Sequence, residues 1–223
     1  MPPIRRVRLY DWQAGQSVFW QLTALLAVWL YVYLLHAHND GLWFQGDSPR
    51  HAVNGLFWWD LIFRLPLHPV QFAMDYYARY PVIQPAAYPP LSYLLEGFTF
   101  SVFGASPYVA KTLVSLAAIV SGIYLVAWLR RWVAPEAGWG GLLLILQPGV
   151  IRYSNAVMLN LPSMALGLGA LYHTRMWIES RGSRKHIYIA TCLLVAGLLT
   201  YFPSGIVLPI IFLWILVASG LGI

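Results

Sequence analysis

Asp47 and His51 stand four residues apart in the segment FQGDSPRHAVNGLFWWDLIFR, residues 44–64. On a helix that spacing places them on one face. There an Asp/His pair could activate a hydroxyl nucleophile or hold a divalent cation. Two donors do not define a metal site, and Asp47 also has a plainer role open to it, the capping of a helix. Spacing alone leaves these readings open. Gly55 and Trp58 continue the same face and leave room for a ligand. His36, His38 and Asp40 are close in sequence too, but HNDG reads as a turn, and Asp40 is expected to be solvated.

The remaining acids of this region sort by spacing. Asp60 and Arg64, like Asp75 and Arg79, are separated by one helical turn. Each pair is most simply an ion pair on a helix face, contributing a few tenths of a kcal/mol. Glu96 has no such neighbour and lies in the apolar run LSYLLEGFTFSVF. Because an unpaired buried carboxylate is expensive, Glu96 is expected to be neutral or paired, with Lys111 the candidate partner.

The elements that must position these groups are apolar. Of 223 residues, 59% are hydrophobic and 10% charged, against about 25% charged for an ordinary soluble domain. The composition is that of an all-α integral membrane protein. A span needs about 20 apolar residues. Ser17–Ala37 qualifies, and lacks the cleavage pattern of a signal peptide. Further spans are expected at 108–129, 137–151, 161–178, 187–203 and 204–223, giving about six transmembrane helices. The run 91–103 is too short and is expected to be an interfacial or re-entrant helix.

Charge sets the orientation. With the N-terminus inside, Arg5, Arg6, Arg8, Arg130, Arg131, Arg175, Arg181, Arg184 and Lys185 are cytoplasmic, as the positive-inside rule requires. The net charge of +6 is thereby accounted for, and a nucleic-acid partner is excluded; the lipid bilayer is the partner that composition implies. Residues 1–16 form a cytoplasmic tail, and 17–223 form a single membrane module. Within it, about 38–107 make one large extracytoplasmic loop. That loop is expected to carry helices over SPRHAVNGLFWWDLIFR, with Asp47 or Ser48 capping and Pro49 at the first position, and over HPVQFAMDYYARY. Aromatic residues suit both to the headgroup layer. The single cysteine, Cys192, excludes a disulfide framework.

The order of these features resembles the GT-C membrane glycosyltransferases, in the branch of the protein O-mannosyltransferases and the bacterial lipid A aminoarabinose transferase. The motifs carrying the resemblance are GDSPRHA, then YPPLSYLLEGFTFSVFGAS, where many members have His-Pro-Pro-Leu. VAWLRRW and RYSNAVMLNLPSMALGLGALY follow, so that residues 17 to 205 are covered. The resemblance implies an inverting transferase that takes sugar from a polyprenyl-phosphate donor at the extracytoplasmic face of the bacterial cytoplasmic (inner) membrane. It makes Asp47 the general base toward the acceptor hydroxyl; His51, on the same face by spacing, is the candidate substrate contact beside it. A polyprenyl-phosphate leaving group needs cationic or metal help, which Arg50, Lys111 or Arg152 could supply.

Three departures qualify that reading. The family usually has an acid where this chain has Asn160, and many relatives have a lysine where it has Tyr201. Members are also commonly much longer, so the chain is expected to be an N-terminal half or to work with further membrane subunits. The alternative is a shortened, catalytically silent relative that serves as a structural subunit. A transporter would want charged or broken helices at mid-bilayer, and few such features are present. The small residues Gly167, Gly169 and Ala170 read as a close-packing helix face.

Overall fold

The computed structural model describes residues 4–37, 47–180 and 184–220. Most of those residues are helical, and none of them forms a strand. The helices are α1 (Ile4–Ala37), α2 (Asp47–Arg64), α3 (Pro69–Arg79), α4 (Leu91–Phe103), α5 (Pro107–Trp132), α6 (Gly140–Ile145), α7 (Pro148–Ser154), α8 (Asn160–Glu179), α9 (Arg184–Leu198) and α10 (Val207–Gly220). Two stretches, Ser17–His36 within α1 and Pro107–Trp132, are long and apolar enough to cross a membrane.

These two helices run antiparallel, and their polar side chains show the register. At one end Arg130 donates to Ser17 Oγ (2.8 Å), Gln21 Oε1 (2.7 Å) and the Pro135 carbonyl (3.1 Å). At the other, the Tyr33 and Thr112 hydroxyls meet at 2.7 Å. Between them Trp29 Nε1 donates to the Ser115 carbonyl at 2.8 Å. Leu25, Val114, Ala118, Val126, Ile145, Val150 and Leu161 fill the core alongside. The segment between α1 and α5 therefore leaves and returns at the Tyr33–Thr112 end, opposite Arg130. α8 packs on α5 and α9. The expected small-residue face is there: a Cβ on Gly169 would come within 2.9 Å of Leu193 and of the Tyr124 ring.

The continuous helix expected over 137–151 is broken. A 3₁₀ turn at Pro135–Trp139 leads to α6, and α7 restarts at Pro148. Pro148 has no N–H and crowds the residue before it; Gln147 is accordingly extended, with ψ 130°. A second 3₁₀ turn, Phe202–Ile206, opened by Pro203, separates α9 from α10. Helix α4 has 13 residues, about 20 Å at 1.5 Å per residue, and is shorter than a bilayer core.

Candidate functional site

Helix α2 covers Asp47–Arg64 of the described residues, and Pro49 stands in its first turn. The expected capping by Ser48 does not occur: its buried Oγ has no hydrogen-bond partner among the described residues. Asp47 Oδ1 pairs instead with Arg50 Nη1 at 3.0 Å, and the Asp47 side chain keeps 47% of its surface exposed. A carboxylate at the N-terminus of an α-helix is favoured by the helix dipole in any case.

One turn further, His51 is 3% exposed. Its Nδ1 lies 2.7 Å from the Tyr93 hydroxyl on α4. Its ring packs on Tyr93 and Tyr88, with centroids 5.8 and 5.2 Å apart. Burial pushes the His51 pKa down to about 4, against the opposing pull of Asp47, so the imidazole is neutral. A neutral imidazole hydrogen-bonded to a tyrosine is fixed in orientation. Three residues beyond, the fully buried Asn54 accepts from the Gln84 N–H at 3.0 Å and donates to the Gln84 carbonyl at 3.3 Å. It thereby ties the proline-rich connection 80–90 to α2, and with it Tyr88.

Glu96 faces α2 from α4. The space beside Gly55, expected to receive a ligand, is taken by this carboxyl: a Cβ on Gly55 would lie 2.7 Å from Glu96 Oε2. Gly97 allows the same close approach, since a Cβ there would sit 2.6 Å from Trp59 Cβ. Glu96 is 4% exposed, and burial raises its pKa well above the usual carboxylate range. Of the two states expected for it, this burial favours the neutral acid. Its ion pair with Lys111 is not formed, and its Oε1 has no hydrogen-bond partner among the described residues.

Asn160, at the start of α8, and Tyr201 share a cavity of about 330 Å³, in which Ser163 and Ser204 also stand. The two serine hydroxyls are 2.7 Å apart. Tyr201 is linked back to α2 through Tyr88, at 6.0 Å between ring centroids. Arg152 is exposed on α7 and does not line this cavity. Of the expected ion pairs, Asp60–Arg64 forms at 3.0 Å. Asp75–Arg79 does not: Asp75 accepts from Gln71 Nε2 at 2.8 Å, and the Arg79 guanidinium lies over the Tyr80 ring. Two local partners outcompete an exposed ion pair that contributes little.

Among the described residues no three His, Cys, Asp or Glu side chains group as a metal cage would require. His38 and Asp40 lie outside the described residues. A cation at α2 would find two protein donors at most, one of them already paired with Arg50. Tyr93 and Asn54 are site residues that the spacing argument missed. Asn54 had a legible signal, since 47, 51 and 54 lie along one helix face; Tyr93 had none beyond its place in an aromatic run. Comparison with protein-family models, curated proteins and solved structures returns no match for the chain.

Proposed function

We propose that the chain is the membrane module of a GT-C-type, polyprenyl-phosphate-sugar-dependent inverting glycosyltransferase, with Asp47 as general base. The observation that carries this reading is the first turn of α2. It presents a half-exposed carboxylate, held 3.0 Å from a guanidinium, directly above a buried neutral His51. In this reading Asp47 accepts the proton of an acceptor hydroxyl as that oxygen attacks the anomeric carbon. The bond from that carbon to the donor phosphate breaks with inversion. Arg50 both orients Asp47 and offers charge to the departing phosphate, while Asn160 and Tyr201 supply hydrogen bonds to sugar or acceptor.

Several features support this placement. An apolar groove of about 890 Å³, walled by Phe57, Trp58, Tyr77, Tyr88 and Phe202, has the chemistry to accept a polyprenyl chain. The antiparallel α1/α5 pair puts Arg130 beside the N-terminal end of the first span, in keeping with a cytoplasmic N-terminus and an intervening segment on the outer side. Helix α3, with no buried residue and with Val70, Met74 and Tyr77 exposed, suits the headgroup layer.

The structural-subunit reading rests on a different observation: Asn160 and Tyr201 line one cavity, where the first cannot carry charge and the second supplies no cation. Membranes containing the full chain should move label from a radiolabelled polyprenyl-phosphate sugar to a hydroxyl acceptor. If they do not, and native mass spectrometry finds the 25.2 kDa chain in fixed stoichiometry with other membrane subunits, the subunit reading replaces the transferase.

A further inference from the structure

Beneath His51 lies a cavity of about 250 Å³ walled by α2, α4, α5 and α8. It exceeds the engineered cavities of about 150 Å³ that bind benzene. Its walls are apolar, among them Leu113, Val114, Ala117, Val157 and Leu166, while His51, Ser92, Glu96 and Thr200 supply its polar groups. Asp47 and Arg50 do not line it, so the space is separate from the exposed acid at the start of α2.

Glu96 is the unusual member. It is fully buried in this wall, its Oε2 is pressed against Gly55, and its Oε1 has no hydrogen-bond partner among the described residues. Buried polar groups are nearly always satisfied, and a carboxyl left without a hydrogen-bond partner in a cavity wall marks the place for a ligand atom. A charged ligand is disfavoured, because the buried acid would have to ionise to meet an ammonium, and desolvation offsets the attraction inside such a site. An aliphatic hydroxyl fits better. It donates and accepts at once, matching a carboxylic acid that does the same, and it brings an alkyl body for the apolar walls.

We propose that this cavity is a binding site for a small apolar molecule bearing one hydroxyl, held at its polar end by Glu96 and His51. The assignment does not rest on the transferase reading, and its test involves no sugar transfer. The purified full chain in detergent would be photolabelled with 3-azioctanol and the adducts mapped by mass spectrometry. The expected result is saturable labelling at Glu96 or its cavity neighbours, displaced by 1-octanol at about one tenth of the concentration needed for octane, the share of one good hydrogen bond. Glu96→Leu should bring the two competitors level, whereas Glu96→Gln, which keeps a donor and an acceptor, should preserve the preference. Ala165→Phe, filling the cavity from α8, should abolish the label with Glu96 intact, which separates loss of the site from loss of the fold. Equal competition by octane and octanol in the native chain, or labelling confined to the outer faces of the helices, would overturn the proposal.

Discussion

The α1/α5 pair and the α2–α4 assembly both bury polar side chains, and they differ in how many they leave without a partner. Along α1 and α5, Gln21, Arg130, Trp29 and Tyr33 each find a partner within 3.1 Å. In the α2–α4 assembly, Ser48 Oγ, Arg50 Nε, Trp58 Nε1 and Glu96 Oε1 are buried without a hydrogen-bond partner among the described residues. In an apolar surround an orphaned polar atom costs about 1–3 kcal/mol. A scaffold would be expected to shed such costs, and a site that awaits a ligand has a reason to keep them. The two long helices are thus a largely satisfied frame, with His36 Nδ1 its exception, and most of the unused hydrogen-bonding capacity lies in the segment between them.

The contrast can be attacked first through pH. His51 is neutral in the fold with a pKa of about 4 and near 6.5 when unfolded. Below pH 6.5 the unfolded chain binds the extra proton, so stability falls with pH until the folded state is protonated as well. Acidification from about 6.5 to 4 should therefore cost on the order of 3 kcal/mol at this residue. Thermal melts of His51→Phe should lose that dependence; a wild-type profile flat across this window would remove His51 from the account.

A smaller effect is expected in the frame. Arg130→Met would orphan Gln21 Oε1 and should destabilise the protein by about 2 kcal/mol, with no change in 1-octanol binding. A change in that binding at constant stability would erase the distinction between the regions. Glu96 behaves oppositely to His51 with pH. Its folded pKa is raised, so its contribution is present at low pH and lost as pH rises from the unfolded value toward the folded one. Glu96→Gln should accordingly melt higher than wild type at pH 8 and 9, and converge with it near pH 4. The smallest effect belongs to Arg64→Ala, which breaks an exposed helix pair and should shift stability by less than about 0.5 kcal/mol.

Much of the site segment was legible in the sequence. The start of α4 after Pro89 and Pro90 and its end before Gly104 follow from proline and glycine punctuation, and its observed bounds coincide with the apolar run 91–103. The i,i+4 placement of Asp47 and His51 was equally readable. What could not be read depends on other elements. Glu96 looked like a candidate for Lys111, because nothing along the chain shows that Gly55 leaves it a slot on α2. Asp75 chose Gln71 over Arg79, a choice between near-equal exposed partners that spacing does not decide. The run 137–151 is apolar enough for a span, yet Pro148 breaks its helix, and hydropathy does not register a missing N–H.

The most direct test of the central claim compares chemistry with stability in one variant. Asp47→Asn keeps the size of the side chain and removes its basicity. Sugar transfer from a labelled polyprenyl phosphate should fall by about 10²- to 10⁴-fold, the usual contribution of a general base, while the melting temperature stays that of the native chain. Undiminished transfer in Asp47→Asn, or a loss of activity that merely follows a loss of folded protein, would contradict the assignment of the start of α2 as the reacting site.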